Sequence, residues 1–525
     1  MTTRRLLVLI GAMLGVLPIA FASAAFLTPA TSERAWRGFW EAKNPKDAER
    51  AAEAVLKTGL TFEQAVARLK QGRPYSADVP RGVVKLSRRS RDVEFPYTVE
   101  VPESYDPTRR YQVRVHLHGG VARPEPLQRG NGIGPLAGGE QIYVMPIGWA
   151  AATWWTERQL ENLRAIVDIV KRTYNVDENR VVVAGVSDGG TGAYYVAMRD
   201  TTPYASFLPL IGALAVLRNP STGAEGELFP NNLLNKPLFI VNAGRDRLYP
   251  TGSVEPYINH LRKGGAELTY LPQPDGGHNI EWWPGVKDAF ESFVRDHPRN
   301  PFPTRLTWET DLAEGTTRAH WIVIDALSNP RPTEPLPDLN DFPTRPTPSF
   351  GVRSNGMRVT SVMEGSGAAS FGLLPGDLVL KVDEVPLPSA VELVDLLSTR
   401  ESGKPLSLVV RRNGKQIDLR GTYQATMMSQ SVQMFRRVSP SGRVDLERDA
   451  NSVRATTRGV AEFTLLLSPD VFDFTRPVIV VCDGKKVFDG RVAKSLATLM
   501  KWAARDNDRS ALIGAELHVM LDAPR

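Results

Sequence analysis

Between about residues 97 and 298, short β-branched apolar runs alternate with longer segments whose apolar positions recur at helical spacing. The runs at 111–117, 141–146, 180–184, 237–244 and 267–271 predict strands. Helices are predicted at 157–174, 191–198 and 254–261, with a further helix closed by His297 beside Pro298. Alternation of this kind builds a doubly wound, mostly parallel sheet of α/β class, with its ligand site at the carboxyl ends of the strands. A short helical stretch precedes it, at 33–75.

After Pro298 the pattern changes. Two strand-like runs, 305–310 and 318–324, are too few to be stable alone. They are followed by a proline-rich stretch ending at Ser349 that reads as an extended, semi-rigid linker. Further strands are predicted at 444–446, 452–456, 461–467, 478–482 and 516–521, with a helix at 492–505. The early pair is expected to join this later set in one β-rich domain, interrupted by whatever lies between.

Length and charge narrow the picture. A chain of 525 residues exceeds one ordinary core, so roughly two to four domains are expected. Its 64 basic and 58 acidic residues give +6. The excess is spread out, with Ser87-Arg88-Arg89-Ser90-Arg91 the only notable cluster, read as a solvated loop; nucleic-acid binding is not expected. Arg4-Arg5, an apolar run from Leu6 to Phe21 and Ala22-Ser23-Ala24 form an export signal with a cleavage pattern before Ala25. The expected location is therefore periplasmic or secreted. A membrane partner is expected only if that segment stays uncleaved as an anchor. Cys482, the one cysteine, excludes an intrachain disulfide.

The chemistry centres on Gly185-Val186-Ser187-Asp188-Gly189, between a predicted strand and a predicted helix. That setting is a nucleophile elbow, in which Ser187 projects its hydroxyl and the backbone N–H of Asp188 faces a developing oxyanion. By itself the pentapeptide is a weak signal in a chain with 43 glycines. Among the histidines after Ser187, His278 alone lies in a loop directly after a strand, where a general base is needed. Asp246, just past the strand ending at Gly244, is the expected orienting acid; Asp275 shares the loop of His278 and would have to bend back on its neighbour. His118-Gly119-Gly120 closes the strand at 111–117, so Gly119 and Gly120 are expected to supply further oxyanion donors, with His118 bonding to the loop backbone. His116 and His118 have no third ligand at convincing spacing, and Asp506-Asn507-Asp508 lacks the glycine and glutamate of a calcium loop; no metal or other cofactor is expected. Trp154, Trp155, Trp282 and Trp283 are candidates for a substrate wall, or for buried core.

These residues resemble an α/β-hydrolase catalytic domain, with the flavour of secreted carboxylesterases of the polyhydroxybutyrate-depolymerase and feruloyl-esterase type and a more distant likeness to prolyl-oligopeptidase-like domains. The resemblance implies acyl transfer from an ester, or from a peptide, through Ser187, His278 and Asp246. No propeller-like repeat precedes it, which favours the esterase. From Phe350 to Tyr423 the chain resembles a bacterial protease-associated PDZ domain, above all at Gly372-Leu373-Leu374-Pro375-Gly376-Asp377. That likeness implies a groove for a peptide or protein C-terminus, with Phe350, Gly351 and Val352 as the carboxylate loop and 390–397 as the facing helix. The expected organisation is a signal at 1–24, the helical segment, a catalytic domain at 80–300, first β-rich strands at 303–327, a linker at 328–349, a PDZ domain at 350–425 and the β-rich remainder at 440–525. A serine carboxylesterase is the leading expectation. The alternatives are a serine peptidase and a catalytically idle PDZ-bearing scaffold.

Overall fold

The structure is a computed structural model that describes residues 29–126, 132–328, 336–344, 347–383, 385–386, 393–398, 400–428 and 431–521. The expected signal segment, residues 329–335 and 345–346 of the proline-rich stretch and the first residues of the expected groove helix lie outside these.

Eight strands form the central sheet: β1 (Gly82–Ser90), β2 (Val93–Val101), β3 (Tyr111–Leu117), β4 (Ile142–Pro146), β5 (Val176–Val186), β6 (Phe207–Leu210), β7 (Leu238–Ile240) and β8 (Leu268–Tyr270). Their spatial order is β1-β2-β4-β3-β5-β6-β7-β8. β1 and β2 form an antiparallel hairpin, β2 runs antiparallel to β4, and every later pairing is parallel. The central strands are mostly apolar because helices cover both faces, with Arg114 and His116 of β3 buried exceptions. Val113, Val115, Val181 and Val183 point into one core, while Val182, Ala184, Leu208 and Phe239 point into the other.

Sheet and helices together have the α/β-hydrolase fold. The Ser87–Arg91 cluster, expected in a loop, lies on and just beyond β1, a largely exposed strand at the edge of the sheet. Arg88 there reaches across to the side chain of Asn162 at 3.2 Å.

Three N-terminal helices follow one another, α1 (Pro29–Glu41), α2 (Pro45–Leu56) and α3 (Phe62–Gln71), and side-chain caps open the last two. The Asn44 side chain accepts from Asp47 N, and Thr61 with Gln64 forms a reciprocal capping box. Their apolar faces need a partner and find it in the helix Leu496–Asp506, burying Trp36, Phe39, Val55 and Leu69 against Leu499 and Met500. The helices of the sheet are α4 (Glu157–Thr173), α5 (Asp188–Arg199), α6 (Thr251–Lys263) and α7 (Trp283–Asp296).

Beyond the sheet, Arg305–Thr310 pairs with Gly442–Asp449, and Ile322–Leu327 pairs with Val460–Leu467. A five-stranded and a four-stranded sheet result, sharing a core that includes Trp308, Trp321, Phe463 and Leu465. This β-rich unit is interrupted by the PDZ fold, a six-stranded sheet entered and left through short paired strands, Asp341–Pro343 with Ser431–Gln433 and Thr347–Ser349 with Thr426–Met428. The described end of the proline-rich stretch is docked: Leu339 is buried, and the Asn340 side chain bonds Phe435 N and O at 2.7 and 2.9 Å. Among the described residues no helix is long and apolar enough to cross a membrane.

Candidate active site

β5 ends at Val186 and α5 begins at Asp188, so a single residue must make the reversal. Ser187 makes it with φ of 58°, in the left-handed half of backbone space that non-glycine residues rarely occupy. The flanking glycines are needed because the chain passes itself closely: a Cβ on Gly185 would collide with the backbone of Gly189, and one on Gly189 would collide with the Leu117 carbonyl of β3. Two backbone bonds hold the turn, Ser187 N to Leu210 O at 2.9 Å and Thr191 N to Ser187 O at 3.0 Å. Although Ser187 occupies the cap position of α5, its hydroxyl does not cap the helix.

That hydroxyl instead meets His278: Ser187 Oγ lies 2.8 Å from Nε2. The other ring nitrogen, Nδ1, lies 2.7 Å from Asp246 Oδ2. Asp246 follows β7 and is fully buried, and its Oδ1 accepts from the backbone N–H groups of Leu248 and Tyr249 at 2.7 and 3.0 Å. With two N–H groups aimed at one carboxylate oxygen, Asp246 acts as acceptor throughout, so Nδ1 carries the proton and Nε2 is left to accept from the serine. His278 itself is one-quarter exposed. Tyr249 packs edge-on to the ring at 5.7 Å, and burial, with the Asp188 and Asp246 carboxylates nearby, pushes its phenol pKa up. Asp275 lies elsewhere, in an exposed ion pair with Arg245 at 2.6 Å.

The turn after β3 closes against the elbow. Gly148 N donates to His118 Nε2 at 3.0 Å, which leaves Nδ1 as the protonated nitrogen that donates to Gly119 O at 2.8 Å. The indole N–H of Trp154 donates to His118 O at 2.8 Å. Asp188 adds a contact that sequence reasoning missed: its Oδ2 accepts from Val121 N at 2.9 Å, tying the turn to the first residue of α5. Nothing local in the sequence signals that bond, which spans 67 residues. The Asp188 N–H lies in the first turn of α5, where no intrahelical acceptor exists, and the positive end of the helix points the same way. Gly120 has φ of 71°, and the Arg123 guanidinium stands close by, 3.8 Å from where a Cβ on Gly120 would be.

The four indoles expected as a wall are buried in the cores, none more than 9% exposed. Trp154 and Trp155 lie on one side of the sheet and Trp282 and Trp283 on the other. Burying so much apolar surface stabilises the sheet, and their contribution to the site is support. His116 is buried too; loss of hydration, with Arg114 and His118 nearby, pushes its pKa down to about 3.

In the PDZ fold, Phe350 is buried, stacked on Tyr423 with ring centres 4.8 Å apart. Its carbonyl accepts from Ala368 N at 2.8 Å. Gly351 has φ of 83°, and a Cβ there would collide with Ser366. Val352 opens the strand Val352–Asn355, which pairs with Arg358–Val362 on one side and forms the edge of the sheet on the other. The helix Leu393–Ser398 lies against that strand. An edge strand beside a helix is the arrangement that accepts an added strand.

Residues 348–420 match the family model for the PDZ domain. The chain is 35% identical over 81 residues to the periplasmic pH-dependent serine endoprotease DegQ of Escherichia coli (strain K12), covering 15% of this chain and 18% of that protein. It spans less than a quarter of the length of the curated relatives it matches, 18 to 23%. Among solved structures, a thermostable esterase superposes with a TM-score of 0.33 at 20% identity, covering 41% of this chain and 63% of the other. The Pyrococcus horikoshii acylaminoacyl peptidase superposes with a TM-score of 0.35 at 14% identity, covering 42% and 43%. By its own sheet order and by the family match, the chain joins an α/β-hydrolase-like fold to a PDZ domain.

Proposed function

We propose that the protein is an exported serine hydrolase that cleaves carboxylic esters through Ser187, His278 and Asp246. The observation that carries this reading is the continuous relay of 2.8 and 2.7 Å from the serine hydroxyl through the imidazole to a buried carboxylate. Ser187 Oγ attacks the acyl carbon while its proton passes to His278 Nε2, and Asp246 stabilises the resulting imidazolium. Backbone N–H groups of Gly119, Gly120 and Asp188 receive the tetrahedral oxyanion. Collapse of that intermediate breaks the ester C–O bond, and Nε2–H protonates the departing alcohol. Water, deprotonated by the same nitrogen, then releases the acid and regenerates the serine.

The PDZ groove, in this reading, takes a peptide or protein C-terminus, its carboxylate held by the loop of Phe350, Gly351 and Val352. The residue 1–24 segment directs export, in keeping with the periplasmic assignment of the Escherichia coli relative. A carboxylesterase of the feruloyl or polyhydroxybutyrate-depolymerase type fits the order of these residues.

The test is hydrolysis of p-nitrophenyl esters of rising chain length beside chromogenic peptides, for the wild type and Ser187→Ala. Ester turnover that falls roughly a millionfold in the variant supports the reading. Peptide turnover without ester turnover would replace it with a peptidase, and neither activity would leave a scaffold.

A further inference from the structure

A second site lies away from Ser187, where α1 and α3 meet α4. A cleft of about 630 Å³ opens there, within the size range of small-molecule sites. Its wall carries five cations, Arg37, Lys43, Arg68, Arg73 and Arg172, against two carboxylates, Glu33 and Glu41. Even counting Asp168, which pairs with Arg172 at 2.7 Å, positive charge exceeds negative by two. An adjoining cleft of about 430 Å³ shares Arg68, Arg73 and Trp40 and adds Arg509, whose charge is already matched by Glu178 at 2.6 Å.

Arg73 is the informative residue. It follows Gly72, the cap of α3, and is drawn into the crevice by neutral oxygens alone. Nη1 donates to Trp40 O at 2.9 Å and, at the limit of a bond, to Arg172 O at 3.5 Å; Nη2 donates to Asn507 Oδ1 at 2.7 Å. Three of its five N–H groups are so occupied, leaving two for a ligand. Among the described residues no carboxylate lies within ion-pair distance of it, and burial, with Arg172 and Arg509 nearby and only partly offset by Tyr75 and Asp168, pushes its pKa down to about 10. Its guanidinium also stands 5.6 Å from the ring of Trp40, whose indole stacks on Trp36. Charged forks beside an indole face suit a planar ligand ending in an oxyanion.

We propose that this cleft binds a small organic anion, a carboxylate or phosphate on an apolar or aromatic body, with Arg73 at its centre and Arg37 and Lys43 at its mouth. Such a site is separate from the ester-cleaving one. It couples the N-terminal helices to the back of the hydrolase sheet, through α4.

Calorimetric titration of the full chain with phenyl phosphate and with benzoate, and with neutral benzyl alcohol as control, tests it. Both anions, or one of them, should bind saturably and raise Tm, and benzyl alcohol should not. Two variants separate binding from folding. Arg37→Glu with Lys43→Glu, both exposed, should keep the ligand-free Tm and weaken the anion by at least about tenfold. Arg73→Gln should abolish binding. Protein blocked at Ser187 with a fluorophosphonate should bind as the unblocked protein does. The proposal is overturned by an absence of anion binding, by equal binding of benzyl alcohol, by unchanged affinity in the double variant, or by loss of binding on blocking Ser187.

Discussion

Gly119 and Ser187 all but touch: a Cβ built on Gly119 would lie 2.9 Å from the serine Cβ and 3.5 Å from its hydroxyl oxygen. The turn proposed to receive the oxyanion is therefore set against the nucleophile with no room for a side chain. Gly119→Ala should displace one or both, lowering kcat on p-nitrophenyl acetate by about 10²-fold or more with a smaller change in KM. Unchanged kcat would remove Gly119 from the oxyanion hole.

Asp246 holds one tautomer of His278. In Asp246→Asn the amide oxygen can keep the Leu248 and Tyr249 N–H bonds, which turns its NH₂ toward Nδ1 and moves the imidazole proton to Nε2. The serine then faces a donor, and kcat should fall by about 10⁴-fold while the fold persists. Steady-state kinetics together with circular dichroism check this. A loss below tenfold would contradict the assigned role.

His116 should make stability depend on pH. Its pKa is about 3 in the folded protein, below the ordinary value of 6.5, so below pH 6.5 the unfolded chain binds the proton more readily. The contribution is complete above pH 6.5 and is lost as pH falls toward 3, at about 1.4 kcal/mol per pH unit in that window. Burial lowers the pKa of His320 in the same way, so the two act together. Urea unfolding at pH 7.5, 5.5 and 4.5 should show His116→Gln with a shallower slope than the wild type. Equal slopes would refute the assignment.

The PDZ edge strand predicts a carboxylate preference. Peptides with a free C-terminus should bind the full chain about tenfold or more tightly than their C-terminal amides, read by fluorescence anisotropy. Equal binding would show that the Phe350–Val352 loop is not a carboxylate site.

The local parts of the site were legible because each has a short-range cause. The elbow needs small residues beside Ser187, and an acid and a base after later strands leave few choices for Asp246 and His278. Long-range contacts were not legible. The Asp188–Val121 bond joins residues 67 apart, and α1 to α3 find their apolar partner more than 400 residues downstream. β1 was hidden because an exposed edge strand rich in arginine has no clear apolar alternation to distinguish it from a loop. The four tryptophans show a different limit, since an indole suits a core and a ligand wall equally and only packing decides.

The central claim is that Ser187 is a nucleophile activated by His278. Its most direct test is fluorophosphonate treatment of the purified protein, followed by mass spectrometry of the peptide containing Gly185 to Gly189. The account predicts one adduct per chain, on Ser187, absent from Ser187→Ala and formed far more slowly in Asp246→Asn. An unlabelled wild-type protein, or an adduct on another residue, would contradict it.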